Sequence, residues 1–264
     1  MDFKSLLASE RARAKAKREL VAGEGEGEAP PPAFASFVDT PTTSCSFSRD
    51  LGFVRGLAYK KEFLGESDAR AVERALLDDS YAMWWTAKSD GRRVMNVGGV
   101  SPSTLFRDGD EANVPKFINL LIELLRDRHA MASSAKANYV LVNEYECGSG
   151  VDAHSDGDAY EDDVAIITLR GGALIEFWPE NDETPSISPV ASLYLEPRSL
   201  VAYSRDAYRL RHGIRKTEID VVDATCANAE ELGLKVGDRI ERNPNGRVSM
   251  VFVRKRRAGV ELSA

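Results

Sequence analysis

The chain has 264 residues, of which 43% are hydrophobic and 29% are charged, as is usual for a globular protein with one large domain. A formal net charge of −7 argues against binding nucleic acid through bulk electrostatics alone, although it leaves room for a local basic groove. Three cysteines without CxxC spacing predict neither a disulfide framework nor a cysteine zinc site. The sequence shows no apolar signal core and no run long enough to span a bilayer, so we expect no membrane partner and a location in the nucleus, the cytoplasm or both.

Residues 1–36 are predicted to form a charged helix followed by a linker. The helix would run from Asp2 to about Leu20 and contains the basic run Arg11–Arg18. Residues 24–32 are acidic and glycine-rich and then proline-rich, and such a composition buries too little apolar surface to offset the entropy of ordering. We interpret the basic run as a solvated helix face, with a localisation signal or an RNA-contacting arm as the alternative.

Residues 37–137 are predicted to hold supporting helices and a two-stranded hairpin. A helix over Ser67–Leu77 would begin with a serine cap, and a second, amphipathic helix would cover Val114–Arg126. Between them, strands Tyr81–Lys88 and Arg93–Val97 flank Asp90-Gly91, a strong hairpin signal.

Residues 138–258 change to short strands separated by turn signals, which predicts an α+β protein built on a jelly roll. An interval at about 216–244 breaks this rhythm and is interpreted as an insertion with a short helix near Ala227–Leu232. The predicted strands are Tyr139–Tyr145, Val164–Leu169, Ala173–Trp178, Ala191–Leu195, Ser199–Tyr203, Tyr208–His212 and Arg247–Arg254.

The motif with the clearest chemical meaning is His154-Ser-Asp156. Positions i and i+2 of an extended segment point to the same face, so an imidazole and a carboxylate could share one metal ion. His212, at the end of a predicted strand, would supply a second imidazole. Two histidines and one carboxylate with open positions are the arrangement of non-haem Fe(II) oxygenases. His129, the remaining histidine, is more simply a residue at a helix C-terminus.

Two further polar pairs alternate along predicted strands. Arg247 and Ser249 would lie on one strand face, where a guanidinium and a hydroxyl can bind the distal carboxylate of 2-oxoglutarate. Asn143 and Tyr145 form a similar pair on the strand before the His154 motif. Polar groups that face a sandwich interior need partners, so all four are candidates for a ligand site. The alternative is that Arg247 is a surface residue and Tyr145 a core aromatic.

These motifs, in this order, resemble the AlkB-type 2-oxoglutarate dioxygenases, and most of all the eukaryotic sixth AlkB-homologue branch. The resemblance covers about residues 55–257. It rests on residues 85–99, Asn143-Glu-Tyr145 with Gly148, His154-Ser-Asp156-Gly, residues 194–200, Leu210-Arg-His212-Gly and Arg247-Val-Ser249.

The resemblance implies a double-stranded β-helix with supporting N-terminal helices and a substrate-recognition lid. It also implies that His154, Asp156 and His212 are the catalytic iron ligands. 2-Oxoglutarate would then be the cosubstrate, O₂ the oxidant, and the cosubstrate contacts would be Asn143, Tyr145, Arg247 and Ser249. Trp85 falls where the family often has a lid aromatic that stacks on substrate, with a core aromatic as the alternative. Asp158 falls where some members contact the substrate base, with a solvated loop carboxylate as the alternative.

The chain departs from the family pattern at one position. A second arginine is expected six residues after Arg247 on the same strand face, and this position is Val253. Arg254 would lie on the opposite face unless a bulge rotates it inward. The departure leaves open how the carboxylate of the keto acid nearest the metal is neutralised.

The expected function is oxidative demethylation of N-methylated nucleobases in RNA or single-stranded DNA. A flipped base would need an aromatic platform, for which Trp84 or Trp85 is a candidate, and residues 92–93 and 254–257 could contact phosphates. One alternative is a protein hydroxylase or demethylase with the same iron centre, which fits the acidic net charge. The other is a non-catalytic homologue that binds nucleic acid or a ligand. The sequence makes no prediction about the oligomeric state.

Overall fold

The computed structural model describes residue 51 and residues 54–131, 136–181 and 188–257. The predicted helix and linker of residues 1–36 lie outside these ranges and stay predictions. The described residues form four α-helices: α1 (Glu66–Leu76), α2 (Lys116–Asp127), α3 (Arg205–Arg209) and α4 (Ala229–Leu232). Two 3₁₀ segments cover Asp79–Trp84 and Asp110–Asn113. The strands are β1 (Leu57–Lys60), β2 (Trp85–Ala87), β3 (Arg92–Val97), β4 (Tyr139–Tyr145), β5 (Val151–His154), β6 (Tyr160–Arg170), β7 (Ala173–Trp178), β8 (Ala191–Leu195), β9 (Leu200–Ser204), β10 (Arg211–Ile214), β11 (Ile219–Val221), β12 (Arg239–Glu241) and β13 (Arg247–Lys255).

Eleven of these strands form two antiparallel sheets that face each other. The larger sheet has the order β1-β9-β6-β13-β4-β3-β2, and the smaller has the order β5-β10-β7-β8. Helices α1 and α2 pack against the outer face of the larger sheet. This arrangement confirms the predicted α+β jelly roll, a double-stranded β-helix supported by helices. No helix in the described ranges is both long and apolar enough to cross a membrane.

The alternation of side chains along β13 separates two apolar layers. Val248, Met250 and Phe252 pack with α1 and α2, whereas Val253 packs between the two sheets. Because successive residues of a strand point to opposite faces, Arg247 and Ser249 also face the space between the sheets, and both line a cleft there. The strand period therefore brings polar groups into an otherwise apolar sandwich.

The two supporting helices form where the apolar spacing predicts them, but their first residues differ. Helix α1 begins at Glu66 after Gly65, with no side-chain cap, so the predicted Ser67 cap is wrong. Its buried face includes Val72 and Leu76. Helix α2 begins after Pro115, which favours an extended conformation in the residue before it and so delays the start beyond Val114.

Two predicted strands are partly helical in the structure. The first four residues of the predicted strand Tyr81–Lys88 belong instead to the 3₁₀ segment Asp79–Trp84. The Asp78 side chain caps this segment by accepting a hydrogen bond of 2.9 Å from the Ser80 backbone N–H. The predicted strand Tyr208–His212 begins instead with α3, and β10 starts at Arg211. In both places a short helical turn contains aromatic and apolar residues whose spacing also fits a strand.

The insertion adds a third, two-stranded sheet of β11 and β12, which the sequence did not predict, and the short helix α4. Arg242 fixes this unit to the sandwich. Its guanidinium forms an ion pair of 2.8 Å with Asp220, at side-chain exposures of 7% and 3%. The same guanidinium donates a hydrogen bond of 2.8 Å to the carbonyl oxygen of Ser149. This buried clamp holds the insertion against the loop that follows β4.

Lys255, at the end of β13, anchors the segment that follows β3. Its ammonium donates hydrogen bonds of 2.6 Å to the carbonyl oxygen of Ser101 and 3.1 Å to the Thr104 hydroxyl. It also lies 4.4 Å from the centre of the Tyr139 ring. Pro102 and Ser103, within the anchored segment, line the cleft between the sheets. Lys255 therefore shapes one wall of that cleft.

We expect Lys255 to give the fold an unusual dependence on alkaline pH. Burial lowers the pKa of Lys255 from its ordinary value of 10.5 to about 8. Between these values the unfolded chain binds more protons than the folded chain, so the free energy of unfolding should rise with pH by about 1–3 kcal/mol. Lys255→Met should lose this rise, whereas Lys60→Met, at an exposed position of β1, should keep it. Urea unfolding of all three proteins at about pH 8 and about pH 10 measures the difference, and an equal rise in Lys255→Met would contradict the assignment.

Candidate metal and cosubstrate site

A cleft of about 500 Å³ lies between the two sheets, within the size range of small-molecule sites. One wall comes from the inner face of β4 and β13, and the opposite wall from β5 and β10. His154 is the last residue of β5, and His212 lies directly opposite it on β10. Asp156 lies two residues beyond the strand, in the following loop. The pairing of β5 with β10 therefore brings together side chains that are 58 positions apart in the chain.

The three side chains form a donor set that can hold a metal. One ligand atom from each of His154, Asp156 and His212 lies within 4.8 Å of the others, and the two imidazole ring centres are 4.6 Å apart. His212 is buried, Asp156 is half-buried and His154 is exposed. The site is thus closed on the β10 side and open towards the cleft, where further ligands could enter.

The surroundings of the two imidazoles suit metal binding. His154 Nδ1 lies 2.9 Å from the carbonyl oxygen of Asp152, and a hydrogen bond donated there leaves the lone pair of Nε2 free. Burial lowers the pKa of His212 to about 4, although the nearby Asp156 carboxylate opposes this shift. The His212 ring is therefore available as a neutral donor. Two imidazoles and one carboxylate fit a divalent iron ion.

Tyr203 on β9 is a member of this cluster that sequence reasoning missed. Its hydroxyl donates a hydrogen bond of 2.9 Å to Oδ2 of Asp156 and lies 3.3 Å from Nε2 of His212. The side chain is almost fully buried, at 1% exposure. Every residue of β9 is buried, so the strand has no alternation of polar and apolar residues that could have marked the direction of Tyr203.

We expect Tyr203 to hold the Asp156 carboxylate in place for the metal. Tyr203→Phe should weaken the binding of Co(II) or Mn(II) by roughly 10- to 100-fold, as is typical for a partner that orients a ligand. Tyr208→Phe is the matched control, because the Tyr208 hydroxyl is buried without a hydrogen-bond partner among the described residues. Isothermal titration with either metal measures the effect, and equal affinity of the wild type and Tyr203→Phe would show that the contact has no such role.

Arg247 is a buried cation on the wall of the cleft formed by β4 and β13. It is 6% exposed, and its guanidinium donates hydrogen bonds of 2.8 Å to the Ser249 hydroxyl and 3.0 Å to the Thr168 hydroxyl. Within the described part of the chain it forms no salt bridge, and its Nε has no hydrogen-bond partner. Burial lowers the pKa of this guanidinium, but arginine keeps its charge in proteins. A buried cation without a carboxylate partner is costly, so Arg247 is suited to bind an anionic ligand.

The register of β4 and β13 brings the other predicted cosubstrate contacts to the same wall. Arg247 pairs with Tyr145, and Ser249 pairs with Asn143. Asn143 is 2% exposed, Tyr145 is 6% exposed, and both line the cleft. The structure therefore brings Asn143, Tyr145, Arg247 and Ser249 together.

The departure at Val253 is also visible in the cleft. Val253 is buried on the same wall as Arg247. The pairing of β13 with β6 does shift register between Val253 and Lys255, but the shift does not bring Arg254 inward. Arg254 forms a half-exposed ion pair of 2.9 Å with Glu161. Val253 is uncharged and Arg254 lies outside the cleft, so this part of β13 supplies no second guanidinium.

The candidate substrate contacts are not brought together with the metal donors. The Trp85 indole donates a hydrogen bond of 3.2 Å to the carbonyl oxygen of Leu76, and Trp84 and Trp85 both pack on the core beside α1 and α2. This packing matches the alternative interpretation of Trp85 as a core aromatic. Asp158 is exposed in the loop after Asp156, and its neighbour Gly157 lines the cleft whereas Asp158 does not.

The candidate phosphate contacts mostly have acidic partners. Arg93 pairs with Glu144, and Arg257 lies 3.5 Å from Asp108. Arg256 donates a hydrogen bond of 2.8 Å to the carbonyl oxygen of Tyr160. Arg92 differs from them because it lines the cleft itself.

Comparison with known proteins gives the chain a family. No family model matches it. It is 31% identical over 208 residues to a Danio rerio protein named "Probable RNA/DNA demethylase ALKBH6", an alignment that covers 74% of this chain and 83% of that protein. It is 30% identical over 113 residues to "Uncharacterized protein L905" of Acanthamoeba polyphaga mimivirus, covering 42% of this chain and 50% of the viral protein. Among solved structures, that of OsALKBH1 has a TM-score of 0.52 at 15% identity and covers 77% of this chain and 100% of the other.

The fold and these relatives define the class of the protein as the 2-oxoglutarate-dependent dioxygenases, which depend on Fe(II) and O₂. Within that class, the chain belongs to the AlkB family.

Proposed function

We propose that this chain is an oxidative demethylase of N-methylated nucleobases in RNA or single-stranded DNA. In this proposal His154, Asp156 and His212 hold Fe(II), and Arg247, Ser249, Asn143 and Tyr145 bind 2-oxoglutarate. The observation that carries the proposal is the pairing of two features in one cleft. A donor set within 4.8 Å lies on one wall, and the other wall has a buried arginine with no carboxylate partner in the described part of the chain.

The chemistry divides between the cofactors and the chain. Bound iron supplies, with 2-oxoglutarate and O₂, the oxidation that hydroxylates a C–H bond as 2-oxoglutarate is converted to succinate and CO₂. The chain's own residues would bind and orient the metal and the cosubstrate, and they exclude water from the cleft. His154 and His212 would hold the metal through ring nitrogens, and Asp156 would hold it through a carboxylate that Tyr203 orients. Val251 and Val253 on the cleft wall keep the surroundings apolar, which strengthens the electrostatic contacts inside.

The products expected from a methylated base follow from simple carbon–nitrogen chemistry. Hydroxylation of an N-methyl carbon gives a hemiaminal, whose C–N bond breaks to release formaldehyde and the unmethylated nitrogen. The base must leave its stack to reach a buried centre. A cleft of about 500 Å³ supports this proposal because it has room for a single base beside the cosubstrate. The name of the Danio rerio relative, which specifies RNA and DNA, supports the same substrate class.

A turnover assay tests this function. Wild-type protein with Fe(II), 2-oxoglutarate and O₂ is incubated with methylated RNA, methylated single-stranded DNA and methylated peptides, and succinate and formaldehyde are measured. The proposal predicts that both products rise with a methylated oligonucleotide and that the unmethylated oligonucleotide gives neither rise. Stimulation by peptides alone would assign the same centre to a protein hydroxylase or demethylase. Succinate formation that is equal in the wild type and in His154→Ala would rule out this metal centre.

A further inference from the structure

Strand β13 gives the cleft one arginine, whereas the family pattern has two on this strand. 2-Oxoglutarate carries two carboxylates, and burying a charge without a partner is strongly unfavourable. Arg247 can bind one carboxylate, but Val253 cannot bind the other. Two arginines line the cleft within the described part of the chain, Arg247 and Arg92. Arg92 lies on β3, outside the strand on which a second arginine was expected.

The sheet register brings Arg92 and Arg247 to opposite sides of one residue. Tyr145 on β4 pairs with Arg92 on β3 and with Arg247 on β13. Residues in register across adjacent strands point to the same face, and both guanidinium groups accordingly approach the Tyr145 ring. Their central carbons lie 5.8 Å and 5.4 Å from the ring centre. The two carbons therefore cannot lie further apart than the sum of these distances, a gap that a five-carbon diacid held at each end can bridge.

The local contacts of Arg92 direct one of its nitrogens into the cleft. Asp90 accepts from Nε at 2.9 Å and from Nη2 at 2.7 Å, with the same carboxylate oxygen. This contact occupies one edge of the planar group and fixes its orientation. Nη1 is turned instead towards Asn143, at 3.5 Å from Oδ1, the outer limit of a hydrogen bond. Nη1 of Arg92 therefore forms only a weak hydrogen bond with Asn143 and is available to donate to a ligand beside it.

We propose that Arg92 on β3 is the second cation of the 2-oxoglutarate subsite and supplies the positive charge that Val253 lacks, from a different position in the sheet. Nη1 of Arg92 donates to one of the two carboxylates of the cosubstrate, next to Asn143, while Arg247 binds the other. Asp90 acts as a positioning residue that holds the guanidinium in the plane of this contact. The inference rests on the proposed function, since it takes 2-oxoglutarate as the ligand of the cleft.

An anionic group could also come from the nucleic acid, as a phosphate. Two observations favour the diacid. The Arg92 side chain is only 18% exposed, and its contacts are with residues of the cleft wall. Arg93, the next residue, has an exposure of 51% and pairs with Glu144 on the other face of the hairpin. Of the two neighbours, Arg93 is the one accessible to a polyanion at the surface, and Arg92 is the one turned inward.

Equilibrium binding of 2-oxoglutarate to Mn(II)-loaded protein tests the proposal without turnover. The proteins compared are the wild type, Arg92→Met, Arg92→Lys, Arg247→Met and the matched control Arg93→Met. We expect Kd for 2-oxoglutarate to rise by roughly 10- to 100-fold in Arg92→Met, the loss of a hydrogen bond to a charged group. Arg93→Met should bind as the wild type does, and Mn(II) affinity should be equal in all five proteins, which shows that each is folded.

The outcomes separate this inference from the proposed function. A wild type that binds no 2-oxoglutarate contradicts both. A wild type that binds it, with Arg92→Met within twofold and Arg247→Met much weaker, overturns the role of Arg92 alone. If Arg92→Met binds 2-oxoglutarate as the wild type does but binds a single-stranded oligonucleotide more weakly, Arg92 is a phosphate contact and the proposed role in cosubstrate binding is overturned.

If Arg92→Met fails to bind Mn(II), Arg92→Lys decides, since it retains a partner for Asp90 but not the planar fork. If the Kd of Arg92→Lys for 2-oxoglutarate is at least about threefold above that of the wild type, the proposal is supported. If this Kd equals that of the wild type, the proposal is rejected.

Discussion

His212→Ala is expected to bind divalent metal at least about 100-fold more weakly than the wild type and to release no succinate, since loss of a ligand exceeds the effect of losing an orienting partner. The reason is geometric. His212 is the buried member of the donor set and lies opposite His154 in the β5–β10 pairing, so no other imidazole in the described chain can replace it. Titration with Mn(II) and a succinate assay measure the two effects.

The chain provides a matched control for this variant. His129 follows helix α2 and lies outside the donor set, so His129→Ala should bind metal and release succinate as the wild type does. If His212→Ala retained wild-type metal affinity, or if His129→Ala lost it, the assignment of the metal ligands would be wrong.

Arg247→Met is expected to separate ligand binding from fold stability. Without its guanidinium, 2-oxoglutarate should bind at least about 30-fold more weakly, as is usual when one partner of a buried charge pair is removed. The ligand-free protein, however, should unfold at the same temperature as the wild type or higher. In the absence of an anion the Arg247 charge is buried among neutral hydroxyls, and replacing such a charge by an apolar side chain is often stabilising.

Thermal unfolding with and without 2-oxoglutarate measures both parts of this prediction. The ligand should raise the Tm of the Mn(II)-loaded wild type by mass action and raise the Tm of Arg247→Met much less at the same concentration. Arg254→Met is the control on the same strand, because Arg254 pairs with Glu161 outside the cleft. It should respond to 2-oxoglutarate as the wild type does. A Tm of Arg247→Met that rises with the ligand as in the wild type would contradict the role of Arg247.

The strand framework and the candidate ligand pair His154 and Asp156 could be predicted from the sequence because both depend on short-range patterns. The two-residue period placed Arg247 with Ser249 and Asn143 with Tyr145 on common faces, and the register of β4 with β13 brings these pairs together. The distance between His154 and His212 depends on the pairing of β5 with β10. No local signal in the sequence predicts that pairing.

Contacts that depend on which face of a strand points inward could not be predicted. Trp85 is in register with Met95, which packs on the helices, so the indole lies on the opposite side of the sheet from the cleft. The same period directs Arg92 into the cleft and Arg93 out of it. In the sequence the two arginines were equivalent candidates for phosphate binding, since nothing in the residues themselves distinguishes the two faces of a half-buried hairpin.

Tyr203 shows a second limit of sequence reasoning. Its hydroxyl contacts Asp156 because β9 and the loop after β5 meet across the sandwich, 47 positions apart in the chain. A tyrosine in a fully buried strand is most simply a core residue, and only the position of its hydroxyl identifies it as a partner of the metal donors. The start of β10 was misplaced for a related reason, because the helical turn α3 occupies residues that alternate as a strand would.

Anomalous diffraction from crystals of the Mn(II)-loaded protein tests the central claim most directly. The account predicts one strong peak between the two sheets, within bonding distance of an imidazole nitrogen of His154, a carboxylate oxygen of Asp156 and an imidazole nitrogen of His212. The remaining coordination positions should face the cleft that contains Arg247. A peak elsewhere in the protein, or a metal at this place that His212 does not reach, would contradict the proposed centre.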